Sequence, residues 1–298
     1  MQGRWVGSTF ALVALGMFFG LAPRALAQDG GALAIHGFND LTYKNDYITP
    51  RGLLVTNKGS TIQVVNGLVL NTYHSAEGAL NDVSLVGGIF NDLNPGFQRN
   101  PSVGYWNEFD WFGGVQFSLY KDWSAGIQYV AFISPPGNFK AEHNIEFNLG
   151  YDDGGRWFSP ITLKPYVKLF FTASGDSTVV LGKVPSFDVE LGAIPTWDLH
   201  PYEIPITLTM PTWVTVGPSN FWGGTDNVGV FSTGINARWP IEWVPPRYGQ
   251  WSFNAGIQYY NLINSQLRNA QGVIGVVPPG SNGYRNVVVF AAGFGFHF

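Results

Sequence analysis

The chain has 298 residues, a formal net charge of −4 and no cysteine. The missing cysteine excludes structural disulfides, thiol catalysis, cysteine-ligated metal and a lipoprotein anchor. Its acidic balance, with no basic patch, argues against a nucleic-acid partner, and 12% charged against 16% aromatic residues is poor in charge for a water-soluble domain.

Residues 1–27 read as a cleaved signal peptide. Arg4 supplies the positive start, Val6 to Leu21 is an apolar run, and Ala25-Leu26-Ala27 is a small-x-small cleavage site. The run is short for a membrane anchor. Residues 28–298 show no linker and no second composition regime, so they read as one domain. No apolar run in them is long enough for a transmembrane helix.

They carry about twelve strand-like segments separated by turn residues. Residues 34–46 form the first and 61–73 the second, with 80–90 as the third. In 104–120, Tyr105, Phe109, Trp111, Val115, Phe117 and Leu119 alternate with Glu108, Asp110, Gly114, Gln116 and Ser118. The fifth segment starts at Trp123. The sixth, 139–151, sets Ala141, His143, Ile145, Phe147, Leu149 and Tyr151 against Lys140, Glu142, Asn144, Glu146 and Asn148. A Lys facing lipid near the midplane costs about 2–4 kcal/mol, so the charged face turns inward and His143 outward. The seventh, 161–172, places Lys164 and Lys168 on its polar face, and the eighth, within 178–194, places Asp188 and Glu190 there. Pro205 and Pro211 make the ninth, 203–216, irregular. The tenth, 227–239, puts Ser232, Asn236 and Arg238 opposite Phe231, Ile235 and Trp239. The eleventh is 251–262.

This repetition of an apolar face against one rich in Gly, Asn, Gln and Ser predicts an all-β fold: a transmembrane antiparallel up-and-down barrel of about twelve strands, with a polar lumen. An even count returns both termini to the periplasm. The outer loops then lie near 47–60, 91–103, 134–138, 173–177, 217–226 and 264–284. Two aromatic belts follow: Trp123, Trp157, Trp197, Trp239, Trp243 and Trp251 at one interface, with Tyr105, Trp106, Trp213 and Trp222 at the other. The loop 264–284, with Val273-Ile274-Gly275-Val276-Val277, is either a mobile outer loop or a plug over the mouth.

Site chemistry is sparse. His36, His74, His143, His200 and His297 are scattered, without metal-ligand spacing. Outer-membrane phospholipases place a His-x-Ser pair on a barrel strand, but here Ile145 follows His143 by two, so no nucleophile stands beside the base. Asp152-Asp153-Gly154-Gly155 reads as a turn. No P-loop, dinucleotide fingerprint or nucleophile elbow is present, so no catalytic residue, metal or cofactor is expected.

In the last segment, Val288, Phe290, Ala292, Phe294, Phe296 and Phe298 alternate with Val289, Ala291, Gly293, Gly295 and His297. This aromatic alternation, ending on Phe298, resembles the closing strand of Gram-negative outer-membrane β-barrel proteins. The resemblance implies that Phe294, Phe296 and Phe298 are an insertion signal, with the barrel-assembly machinery and outer-membrane lipid as partners. Tyr47-Ile48-Thr49-Pro50-Arg51-Gly52 resembles the Tyr-x-x-Arg-Gly start of TorF-type porins, with one residue more between Tyr and Arg.

The expected function is a porin-like passive channel for small polar solutes. Its constriction candidates are Glu108, Asp110, Lys140, Glu142, Glu146, Lys164, Lys168, Asp188, Glu190 and Arg238. Acids outnumber bases among them, which predicts a weak cation preference. Lys164 and Lys168 lie between the strands of Glu142/Glu146 and Asp188/Glu190, so cross-strand ion pairs that hold the wall are the other role open to them. A closed structural or adhesive barrel and an outer-membrane hydrolase are the other classes open.

Overall fold

A computed structural model of the chain describes residues 34–57, 59–95, 104–177 and 181–298. The expected signal peptide, 1–27, lies outside the described residues. Twelve antiparallel strands close into an up-and-down barrel. They are β1 (Ala34–Lys44), β2 (Thr61–His74), β3 (Leu80–Leu93), β4 (Trp106–Leu119), β5 (Trp123–Ile133) and β6 (Glu142–Tyr151), then β7 (Ile161–Thr162 and Pro165–Ser174). The circuit continues with β8 (Ser186–Ala193 and Thr196–Asp198), β9 (Thr207–Thr209 and Thr212–Val216), β10 (Val228–Pro240), β11 (Gln250–Leu262) and β12 (Asn286–His297).

Closure comes from β12 pairing with β1, from Lys44 opposite Ala291 to Phe38 opposite His297. Phe298 extends the ladder by one more residue: its N–H donates to the Gly37 carbonyl and its own carbonyl accepts from Gly37 N–H, both at 3.1 Å. Closure leaves no free edge to pair with another chain. Phe294 packs edge-on against Phe253, and Phe296 lies between Trp251 and Phe298.

Three neighbouring strands are interrupted along one line. β7 breaks at Leu163-Lys164, β8 at Ile194-Pro195 and β9 at Met210-Pro211. Proline cannot donate to a ladder, and the residue before it is restricted. The breaks bridge one another instead: Ile194 N–H donates to the Leu163 and Lys164 carbonyls, Met210 N–H to Pro195, and Gly234 N–H to Pro211. The barrel therefore stays closed across the break.

Side chains alternate in and out along every strand, and cross-strand partners share a face. Thr42, Gln63 and Asp92 thus follow one another around the inner wall, as do Asn148, Lys168 and Glu190. One end of the barrel, the termini-bearing end, carries Ala34, Phe298 and turns such as Lys121-Asp122. The other carries the long connections, two short helices, α1 (Ser219–Trp222) and α2 (Ser265–Val273), and a hairpin of Tyr47–Ile48 against Leu54–Thr56.

Candidate functional site

The hairpin is not an outer loop, as the sequence suggested; it folds into the barrel. Tyr47, Ile48, Arg51, Leu53, Leu54 and Val55 are all buried. A chain of this apolarity is driven out of water, and the lumen is the nearest place to bury it. Its tip is a four-residue turn, Thr49-Pro50-Arg51-Gly52, with Gly52 N–H donating to the Thr49 carbonyl at 2.9 Å. Proline second and glycine fourth suit such a turn. Gly52 adopts φ +91°, and a Cβ there would sit 2.9 Å from Leu267 and 3.1 Å from Val230, so the tip needs glycine for both conformation and space.

The turn projects Arg51 onto the inner wall. Its Nε donates to Asp188 Oδ1 at 3.1 Å. Nη1 lies 3.6 Å from Glu142 Oε1 and Nη2 3.6 Å from Glu146 Oε1, while Nη2 also reaches Asn144 Oδ1 at 3.4 Å. The guanidinium carbon lies 4.5 Å from the Phe170 ring centroid and 5.5 Å from that of Phe132. Trp222 Nε1 donates to the Arg51 carbonyl.

Around this contact the loop-bearing half of the lumen is filled. Seven of its carboxylates are buried: Asp92, Glu108, Asp110, Glu142, Glu146, Asp188 and Glu190. The buried cations among them are Lys44, Arg51 and Lys168. Thr61, Gln63 and Asn107 donate to Asp92, Tyr47 to Glu108, Gln128 to Glu146, and Tyr166 to Glu190. Lys168 Nζ lies 3.7 Å from Glu190. Buried charges persist only when paired and hydrogen-bonded in this way.

Beside the charges is an apolar block. Ile48 and Leu54 of the hairpin pack with Phe221, Trp222, Leu267, Val276, Val277 and the wall residues Trp213, Val230, Tyr260, Leu262, Val287 and Val289. The loop 263–285 therefore contributes a plug, through α2 and Val276-Val277, as one of its two readings had it. Asn264 caps α2 by accepting from Gln266 N–H, and Asp226 accepts from the N–H and hydroxyl of Ser265. These two bonds hold the Asp226 carboxyl below its usual range.

Toward the termini the inward side chains change character. Asp40, Gln116, Ser118, Asn148, Tyr166, Arg238 and His297 are only half-buried. The lumen is thus filled at its loop-bearing end, and its inward side chains are less completely covered toward the other.

Of the sequence candidates, Glu108, Asp110, Glu142, Glu146, Lys168, Asp188 and Glu190 come together at the filled level. Arg238 lies apart, in the half nearer the termini, close to Asp40. Two expectations need correcting. Lys140 is not on an inner wall: β6 begins at Glu142, and Lys140 is exposed in the preceding loop, where its N–H donates to Asp176 Oδ1 at 2.6 Å. A lysine just beyond the strand stays in water at no desolvation cost. Lys164 falls in the break of β7, at φ +51° before Pro165, so it does not alternate with Lys168. Lys168 pairs with Glu190 across strands, and Arg51 meets Glu142, Glu146 and Asp188.

Arg51 is the residue the sequence reading missed. The signal was available: an outer loop should not carry Tyr47, Ile48 and Leu53-Leu54-Val55 in water. His143 faces outward, with its ring nitrogen bonded to the Tyr129 hydroxyl. Asp153 is a buried turn residue that accepts from Leu163 N–H at 2.6 Å.

The outward face decides where the barrel lies. Ile35, Leu41, Leu68, Leu85, Ile127, Phe147, Leu191, Ile235, Ile257 and Phe290 are exposed on it. Among the described residues, no Asp, Glu, Lys or Arg stands on the outward face of a strand. The chain is a transmembrane β-barrel. The belt at the termini-bearing end is complete, since Trp123, Trp157, Trp197, Trp239, Trp243 and Trp251 are all exposed. The opposite belt is not as expected. Tyr105 and Trp106 are exposed, but Trp213 and Trp222 are 3% and 2% exposed and belong to the plug.

No protein-family model matches the chain, and no curated protein matches its sequence. Among solved structures, an outer-membrane channel from Pseudomonas putida F1 overlays with a TM-score of 0.47 at 8% identity, covering 93% of this chain and 100% of the other. The transport unit of the autotransporter AIDA-I from Escherichia coli gives 0.40 at 12%, covering 92% and 93%. OmpF of Salmonella typhi in complex with daunomycin gives 0.37 at 9%, covering 92% and 99%. Overlays this loose carry no functional weight, so the barrel's own residues must.

Proposed function

We propose that this barrel is a gated channel of the bacterial outer membrane for small, positively charged polar solutes. The end that carries Ala34 and Phe298 faces the periplasm, and the half-buried polar residues form a vestibule there. The first loop, folded inward, is the closed gate.

The observation that supports this most is the imbalance at the filled level. Seven carboxylates surround three cations, and one of those cations, Arg51, is carried by the hairpin rather than by the wall. A purely structural plug has no need of charge, since an apolar core of equal volume is as stable or more so. If the hairpin leaves, the wall keeps seven acids against Lys44 and Lys168. Such a ring attracts cations and repels anions. A passive, permanently open porin fits less well, because the side chains at this level are buried.

Planar-bilayer recording tests the proposal. The wild-type protein should open rarely. A variant with 49–53 replaced by a Gly-Ser linker should give steady steps, with a reversal potential shifted toward the cation equilibrium in a salt gradient. Absence of steps from both proteins would instead indicate a closed structural barrel.

A further inference from the structure

The Arg51 contact has the composition of a ligand site. Arg51 arrives from a loop, while Phe132 on β5, Glu142, Asn144 and Glu146 on β6, Phe170 on β7 and Asp188 on β8, which meet its guanidinium, all belong to barrel strands. The cage would therefore outlast departure of the hairpin. Its shape suits a guanidinium better than a spherical ammonium. An aromatic face lies 4.5 Å from the guanidinium carbon, and separate acceptors approach Nε, Nη1 and Nη2.

The cage also has an acceptor to spare. Asp188 Oδ2 is buried without a hydrogen-bond donor. Asp110 lies opposite Phe132, which lies opposite Glu142, so a further carboxylate stands on the same stretch of wall. Arg51, reaching in on its tether, leaves Asp188 Oδ2 unused. A free solute has no such restriction.

We propose that this cage is a binding site for small solutes bearing a guanidinium group, and that Arg51 is the tethered stand-in that occupies it while the gate is closed. The proposal rests on the channel reading for its role, but the site itself can be tested without conductance. Displacing Arg51 would leave the hairpin's buried Arg carbonyl and apolar residues as its remaining hold, so solute and loop would compete directly.

The probe is ethylguanidinium, with ethylammonium as the control. In the purified full chain carrying Arg51→Ala, ethylguanidinium should raise the unfolding temperature saturably and bind at least tenfold tighter than ethylammonium. The wild-type chain, its cage filled, should show at least tenfold weaker binding, and Arg51→Ala combined with Glu142→Gln should lose most of the effect. Equal response to the two cations, or equal response of wild type and Arg51→Ala, would overturn the site. If Arg51→Ala does not fold, wild-type protein in a bilayer supplies the reading: ethylguanidinium on both sides should raise open probability several-fold over ethylammonium, and equal open probabilities would overturn it. Saturable binding without conductance would keep the site and remove the channel. Conductance without discrimination would keep the channel and remove the site.

Discussion

Toward the loops, Asn144, Thr172 and Thr215 are fully buried; toward the termini, Gln116 and Ser118 on the same wall are only half-buried. Nine of the twelve strands run unbroken through both halves, and the breaks in β7, β8 and β9 are bridged by hydrogen bonds, so the wall alone does not account for the difference. What differs is the loop-bearing half's content: an inserted hairpin, α2, and an arginine that meets three carboxylates. The barrel thus acts as a frame, and its accessibility is decided by what folds into it. The half filled with charge depends on every partner being present, whereas the less covered half can lose a side chain and let water replace it.

That contrast can be broken most forcefully at Arg51. Removing one partner of a buried ion-pair network leaves uncompensated charge, so Arg51→Ala should cost about 3–5 kcal/mol of unfolding free energy in detergent or vesicles. A loss under about 1 kcal/mol would mean that the carboxylates are already served by water. Next is Leu54, fully buried beside Phe221 and Val230. Leu54→Ala should cost about 3 kcal/mol through the cavity it leaves, measured by the same unfolding curves. In the less covered half, Gln116→Ala should stay within about 0.5 kcal/mol of wild type. A large loss there would erase the distinction between the halves.

The smallest effect concerns pH. Asp226 is held below the usual carboxylate range by the N–H and hydroxyl of Ser265. A group with a depressed folded-state pKa contributes stability that is complete above its unfolded value of about 4 and disappears as pH falls through the folded one. Hydrogen exchange of residues 265–273, corrected for intrinsic rates, should therefore accelerate in strong acid and not between neutral pH and 5. Asp226→Asn should remove that acid step.

The barrel was legible because lipid and lumen impose the same alternation on every strand, and the terminal aromatic strand repeats it most clearly. The inward direction of Glu108, Asp110, Glu142, Glu146, Lys168, Asp188 and Glu190 followed from the cost of charge in lipid. Alternation says nothing once the strand stops, which is why Lys140 and Lys164 were placed on walls they do not join. Belt membership read from strand ends failed for Trp213 and Trp222 because an aromatic near an interface can turn toward lipid or toward a plug. The cage was illegible for a different reason. Its cation lies 91 residues from Glu142 and 137 from Asp188 along the chain, in a loop whose only clue was misplaced apolarity.

The most direct measurement uses the absence of cysteine, which makes single-cysteine labelling clean. Gln116→Cys and Thr172→Cys, each in otherwise wild-type protein, would be exposed to a membrane-impermeant, water-soluble maleimide in proteoliposomes open to reagent on both sides. Gln116→Cys should label at least a hundredfold faster than Thr172→Cys, and adding Arg51→Ala should bring Thr172→Cys close to the Gln116→Cys rate. Equal labelling of the two positions in the presence of Arg51 would contradict a lumen sealed at its loop-bearing half by the inserted hairpin.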